Sequence, residues 1–309
     1  MENTEIYSGK SHELQARKWP AGSSPVCVVM ISLNEEHNMR GVLENLSGWA
    51  SEVVLVDSFS SDKTVDIALE YGVKVVQRKF KGFGDQWNFA VTNLGISCPW
   101  TMKLDPDERL SEQLKNEISK AVYENNAVVG LSVNRSLWFM GRKLPVTQTL
   151  LRAWRTGQCK FTDVTVNEHP IVLGEIVTVS GDLEHHDSPD LHHWFYKQNK
   201  YTSSEAAIRF HGGDLAFKPR ILGNSMERRM WMKRNFYRMP FRYLILFAYH
   251  FFLEGAWRAG RAGYIWSRLR CDVMRFVEYK AYEMNLRGDS KVIGTFNAGV
   301  PDARVKQYE

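Results

Sequence analysis

The stretch Asp105-Pro106-Asp107-Glu108 sets three carboxylates within four positions, directly after the apolar run Trp100 to Leu104. A hard divalent cation such as Mg²⁺ or Mn²⁺ takes oxygen ligands, and one or two protein carboxylates suffice where phosphates supply the rest. Carboxylates at i and i+2 of an extended segment project to the same side. Asp105 and Asp107 are therefore candidate metal residues, able to neutralise a departing diphosphate through the ion. Pro106 fixes its own φ and keeps the residue before it extended, which suits the end of a strand. Read alone, the same four residues also fit the acidic start of a helix.

Three further groups carry candidate chemistry. Asn34-Glu35 and Asp57 each follow an apolar run, and a carboxylate in such a place can accept from a ribose hydroxyl or a base N–H. Helix capping is the ordinary alternative for Asn34 and for Asp62. In Val166-Asn167-Glu168-His169-Pro170, a loop glutamate stands beside His and Pro. Within hydrogen-bond reach of a hydroxyl, such a carboxylate acts as a general base, and a surface turn is the alternative. Asp182-Leu183-Glu184-His185-His186-Asp187 has metal-ligand residue types without the spacing of a closed zinc site. One imidazole there could complete a metal shell or touch a diphosphate.

The elements that must position these residues are legible from periodicity. Val26 to Ile31 is a continuous apolar run, the pattern of a strand buried on both faces. Val53 to Val56, Val73 to Val76 and Trp100 to Leu104 repeat it. Helical patterns lie between, through Leu43 and Leu46, through Val65 to Leu69, over Asp85 to Leu94, and over Ser111 to Tyr123. This alternation predicts an α/β fold with a doubly wound, mainly parallel sheet, and ligands at the carboxyl ends of its strands. Val128 to Val133, Thr149 to Trp154 and Ile176 to Val179 read as later strands, and Leu191 to Arg209 as a helix.

The composition, 44% apolar and 24% charged, suits a globular chain. The formal net charge of +5 is unevenly spread. Lys218 to Arg287 holds 15 Lys and Arg against 5 Asp and Glu. Within it, Arg228, Arg229, Lys233, Arg234, Arg238 and Arg242 interleave with Met230, Trp231, Phe236, Tyr237 and Phe241. Arg258, Arg261, Arg268 and Arg270 interleave with Trp257, Tyr264 and Trp266. Such a pattern suits anionic lipid. No nucleic-acid motif of defined spacing accompanies it, so no nucleic-acid partner is expected. A helical homo-oligomer interface is the alternative use.

The four cysteines include no CxxC pair and read as free thiols of a reducing compartment. Met1 to Gly22 lacks the apolar stretch of a signal peptide, and no run reaches the roughly 18–20 apolar residues of a membrane span. The expected location is cytoplasmic, peripheral on the inner face of the membrane. The division expected is a tail over 1–24, a catalytic domain over 25–215 and a basic, aromatic-rich helical region over 216–309.

The ordered stretches Met30 to Glu36, Val54 to Thr64, Gln86-Trp87-Asn88-Phe89-Ala90, Leu104 to Glu108 and Val166 to Pro170 resemble the family 2 glycosyltransferases of the GT-A fold. The chain is most similar to the group containing bacterial lipopolysaccharide core β-1,4-glucosyltransferases. Gly181 to His185, followed by Lys197, Asn199, Lys200 and Tyr201, resembles the same group. The resemblance implies a nucleoside-diphosphate-sugar donor bound by Asn34, Glu35, Asp57, Gln86, Asn88 and Asp105. It implies a Mg²⁺ or Mn²⁺ cofactor at Asp105, Asp107 and His185, and Glu168 as catalytic base. Pro106 stands where the family usually has Ala, and Trp87 where a basic residue is common.

The activity expected is inverting transfer of a hexose, glucose first, from a UDP-sugar to a lipid-linked saccharide such as lipopolysaccharide core. Two other readings compete. A nucleotidyltransferase would need a basic, Gly-rich loop where this chain has Asn34-Glu35-Glu36-His37. A non-catalytic membrane-binding scaffold would release no sugar from any donor.

Overall fold

Alternate residues of the first strand enter two different cores. In β1 (Ser24–Ser32), Val26, Val28 and Met30 pack on one face, and Cys27 and Val29 on the other, all fully buried. That is the packing a continuous apolar run demands. Parallel to β1 lie β2 (Ala50–Asp57) on one side and β4 (Trp100–Lys103) on the other, and β3 (Lys74–Arg78) extends the sheet beyond β2. The first face is covered by α1 (Glu36–Leu46), α2 (Thr64–Glu70) and α4 (Glu112–Glu124), through Met39, Leu43, Val65, Leu114 and Ile118. The second is covered by α3 (Phe83–Asn93), through Trp87 and Ala90.

In this computed structural model the described residues are 18–124, 127–162, 168–212, 218–291 and 299–308. Most of the 1–24 tail, and Val166 and Asn167, lie outside them. Beyond β4 the sheet turns mixed. The short β5 (Glu108–Leu110) precedes α4, and β6 (Val128–Phe139) and β7 (Arg142–Arg155) form a long hairpin. A separate two-stranded ribbon pairs β8 (Cys159–Phe161) with β9 (Pro170–Val172). β10 (Glu175–His186) runs parallel to β6 and antiparallel to β5. The sequence reading caught only the start of β6 and β10 and the end of β7. Their distal halves mix polar and apolar residues and lack the continuous apolar run.

Within β10 the pairing slips between Thr178 and Asp182. Gly181 sits there at φ +94, where an added Cβ would meet the Leu114 backbone nitrogen at 2.5 Å. The bulge lets α4 approach closely and sets the register of His185.

The helical C-terminal region follows α5 (Leu191–Phe210). It comprises α6 (Ser225–Asn235), α7 (Arg242–Ala248), a π-helical turn over Tyr249–Leu253, a 3₁₀ turn over Ala256–Ala259, and α8 (Gly260–Arg287). Lys280 of α8 donates to Asn199, Thr202 and Ser203 of α5. The region is not helical throughout, because β11 (Lys306–Tyr308) returns to pair with β3 at the sheet edge. The nine strands run β11-β3-β2-β1-β4-β7-β6-β10-β5. Among the described residues no helix is long and apolar enough to cross a membrane.

Candidate active site

β4 delivers Asp105 and Asp107 to the carboxyl end of the sheet, and β10 delivers His185 and Asp187 beside them. Carboxylate oxygens of Asp107 and Asp187 and a ring nitrogen of His185, atoms able to ligate a metal, lie within 4.8 Å of one another. His185 Nε2 is 3.3 Å from Asp107 Oδ2. Lys197, in the second turn of α5, places Nζ 2.9 Å from Asp107 Oδ2 and 3.0 Å from Asp187 Oδ1. Burial works against the Asp107 carboxylate, but Lys197 and His185 outweigh it and hold the acid well below its ordinary range. The same pairing, with Asp187 added, raises Lys197 well above the ordinary lysine value despite its burial. An ammonium between two carboxylates shows that this spot is organised for positive charge.

Asp105 has a different surrounding. Arg152 of β7 reaches its Oδ2 at 3.2 Å, and its backbone N–H donates to Glu108 Oε2 at 3.0 Å. Burial raises Asp105, while Lys103 and Arg152 lower it further, for a net downward shift. Glu108 is 0% exposed and pairs with Arg152 and, at 3.4 Å, with Arg135. It anchors the acidic turn from inside. Arg109 fixes the same turn from outside, donating to the carbonyls of Pro106, Glu108 and Asn38. Removing one partner of a buried pair strands the other charge. Arg152→Leu is therefore expected to lower unfolding stability by about 3–5 kcal/mol, seen as an earlier urea midpoint.

Glu35 faces the cluster from the start of α1. Burial, then the nearby Asp107 charge, push its carboxyl up to about 7, against the pull of Lys197 and Asn38. In the metal-free protein the folded state thus binds the Glu35 proton more tightly than the unfolded chain. Its contribution to stability is present at low pH and is lost as pH rises through about 7. His37 and His193, both shifted down with burial as the first cause, act in the opposite sense. Glu35→Gln isolates the effect. Relative to wild type, the variant is expected to gain stability between pH 5.5 and 8, read from paired urea titrations. Equal gaps at both pH values would contradict the assignment.

Glu168 lies at the edge of the described loop, with Oε1 2.6 Å from Lys103 Nζ. Lys103 is the last residue of β4 and rests over the Trp87 ring at 4.4 Å. Glu168 is also close enough to Arg152 to favour its charge. The general-base candidate is therefore on the Asp105 side, paired to a different cation from the one held by Asp107.

The remaining donor candidates divide. Asp57 is fully buried, and its oxygens accept from Ser32, Gln77 and both the amide and hydroxyl of Ser60. It ties the strand ends to the loop that follows β2. Asn34, at φ 58, receives the Ser61 amide on Oδ1 and gives its own amide to Ser60 Oγ. Gln86 accepts from Arg78 at 2.9 Å and donates to Ser58 at 3.3 Å, joining this network from α3. Asn88 stands apart from it. Its amide pairs with both main-chain groups of Phe161, pinning the β8 ribbon to α3.

Sequence reasoning named Asp187 within a run of metal-ligand residue types and Lys197 within a resembling stretch, but assigned neither a role in the site. Asp187 had a usable signal, since it follows His185 by two residues as Asp107 follows Asp105, the period that puts side chains on one side of a strand. Lys197 comes from a helix whose docking no local spacing reveals. Tyr201, one turn further on, is pushed up to about 12 by burial, with Asp107 and Glu35 adding to the shift against Lys197.

Residues 27–175 match the family model described as glycosyl transferase family 2. Among curated proteins, the lipopolysaccharide core biosynthesis glycosyltransferase LpsC of Rhizobium meliloti (strain 1021) is 26% identical over 252 residues, covering 78% of this chain and 86% of that one. An uncharacterized glycosyltransferase of Rickettsia typhi is 26% identical over 196 residues, covering 59% of this chain and 66% of that one. Among solved structures, the mannosyltransferase PcManGT from Pyrobaculum calidifontis, in complex with GDP-Man and Mn²⁺, aligns with 86% of this chain and 90% of its own. Its TM-score is 0.47 at 15% identity. Glucosyl-3-phosphoglycerate synthase from Mycobacterium tuberculosis aligns over 36% of this chain and 43% of its own, with a TM-score of 0.31 at 20% identity. The carboxylates of the acidic turn and Glu168 fall inside the segment that matches the glycosyl transferase family 2 model.

Proposed function

We propose that this glycosyltransferase moves a hexose, with glucose the first candidate, from a UDP-sugar to a lipid-linked saccharide of the lipopolysaccharide core type, with inversion. The observation that carries the reading is the separation of two charged centres at one sheet edge. Asp107, His185, Asp187 and Lys197 form one, and Glu168 with Lys103 forms the other. A single displacement needs that division, with one place for the leaving diphosphate and another for the incoming hydroxyl. The likeness to LpsC over most of both chains supports the acceptor class.

Two carboxylates and an imidazole suit a divalent cation that shares its remaining positions with phosphate oxygens. Asp107, His185 and Asp187 would hold it, and it would supply positive charge against the diphosphate as the sugar leaves. Lys197 occupies the neighbourhood of both acids, and its ammonium is free to follow the phosphate oxygens when the acids are otherwise engaged. Asp105 and Glu35 border the same space and face the donor. Asn34, Asp57 and Gln86 shape the loops around the nucleoside. At the other centre Lys103 fixes Glu168 Oε1, which orients the carboxylate to take the proton of the acceptor hydroxyl. The new sugar–oxygen bond forms as the bond to the diphosphate breaks.

The C-terminal region supplies the membrane contact in this reading. Phe241, Leu244, Ile245, Tyr249, Phe252, Leu253 and Trp257 are all exposed, the first and the sixth at 79%. Their spacing lays them along one side of α7 and the turns after it, an apolar stripe turned outward. From Arg228 to Arg270 the chain has ten Arg and Lys and one acid, Glu254. An apolar stripe bordered by cations suits the interface of an anionic bilayer, which would put the enzyme on the inner face of the cytoplasmic membrane. Binding to phosphatidylglycerol vesicles is expected to weaken as salt rises and to fall with Leu244→Glu/Leu253→Glu. Binding that ignores both salt and these substitutions would remove the membrane reading. Sugar release from UDP-glucose, UDP-galactose and GDP-mannose, each with Mn²⁺, tests the donor. No release from any of them would favour a scaffold.

A further inference from the structure

Beside the metal-ligating cluster the surface holds two grooves that share a wall, Trp138. The first, of about 260 Å³, is bordered by Asp187, Ser188, Asp190 and Trp194 and opens on the cluster. The second, of about 640 Å³, is bordered by Arg142, Lys143, Arg258 and Arg261. The change of sign across one indole ring is abrupt. Lys143 is paired with Asp182 at 2.6 Å. Arg142, Arg258 and Arg261 have no carboxylate partner among the described residues, and all three are exposed.

These cations are not on loose chain. Arg142 opens β7 at the tip of the long hairpin. Arg258 lies in the 3₁₀ turn, and Arg261 in the first turn of the 28-residue α8. That turn and helix are pressed together at Gly263, where an added Cβ would fall 1.8 Å from the Ala256 carbonyl oxygen. No side chain caps the start of α8, so its positive end adds to the field of the arginines. Three guanidiniums from three elements line one groove, and guanidiniums are planar, multidentate donors to a phosphate group.

We propose that this second groove is an acceptor subsite for a phosphate carried on the saccharide, close to the hydroxyl that is glycosylated. The proposal rests on the transfer reading in one respect, that the first groove receives the acceptor at the cluster. A phosphomonoester has two sources here, a phosphorylated sugar or a lipid headgroup, and the groove's place beside the cluster and behind Trp138 favours the sugar.

The test titrates the full chain with glucose 6-phosphate and with glucose, and separately with phosphatidylglycerol vesicles. The wild type and Arg258→Gln/Arg261→Gln are compared, with Arg258→Lys/Arg261→Lys as the charge-retaining control and a thermal melt to show that both fold. Binding that requires the phosphate is expected, weakened roughly ten-fold or more in the Gln pair and partly restored in the Lys pair, with vesicle binding, still supported by the other eight of the ten cations from Arg228 to Arg270, weakened less than the binding of the sugar phosphate. Equal binding of glucose 6-phosphate by wild type and the Gln pair would overturn the proposal. So would no phosphate preference in the wild type, or a Gln pair that loses vesicles and keeps the sugar phosphate. Binding of UDP with Mn²⁺ reports on the transfer reading independently, since none of these arginines borders the cluster.

Discussion

Asp107→Asn is expected to cut sugar transfer by about 10²–10³-fold or more, the scale on which charge stabilisation at a departing group is lost. The substitution keeps the size of the side chain and removes its charge. Asp107 is 5% exposed, and both His185 and Lys197 point at its Oδ2. With the charge gone, Lys197 keeps only Asp187, and the cluster loses one of its two anionic ligands. The loss should appear as weaker metal-dependent donor binding as well as slower turnover. Asp105→Asn makes the useful contrast. Its carboxylate is engaged by Arg152 and lies outside the three-residue cluster, so it should cost less in metal affinity. If the two variants lose metal affinity equally, the cluster has been drawn around the wrong acids.

Glu168→Gln is expected to lower the transfer rate by roughly 10²–10⁴-fold, the range for loss of a general base, with donor binding almost unchanged. The contrast with Asp107→Asn follows from position, because Glu168 pairs with Lys103 and the cluster pairs with Lys197. Lys103 loses its carboxylate partner in the variant but still rests over Trp87 and near Phe161, so the β8 ribbon should stay in place. A fall confined to kcat, with KM for the donor steady, supports the base. A fall in donor affinity of the same size would move Glu168 into the donor site.

The parallel half of the sheet was legible because burial on both faces writes itself as unbroken apolar runs, and Val26 to Met30 is such a run. The mixed half was not, since β6, β7 and β10 are only partly buried along much of their length, and the pairings of β10 with β6 and of β7 with β4 are distant in sequence. The short β5 and β11 carry no pattern of their own and exist only through their partners. At the site, side chains announced by strand ends were found from spacing, as with Asp105 and Asp107. Their counter-charges Arg152, Lys103 and Lys197 were not found, because each arrives from an element whose docking is a tertiary event. Asn88 shows the reverse. A polar residue in a telling stretch is held by the main chain of Phe161, and nothing local distinguishes that use from ligand binding.

The central claim is that Asp107, His185 and Asp187 hold the donor diphosphate through a divalent cation. Calorimetric titration of UDP into the chain, with Mn²⁺ and with a chelator, measures it directly. Tight binding with Mn²⁺, little binding with the chelator, and loss of the difference in Asp107→Asn are the predicted results. UDP binding of equal strength with and without the cation would contradict the claim.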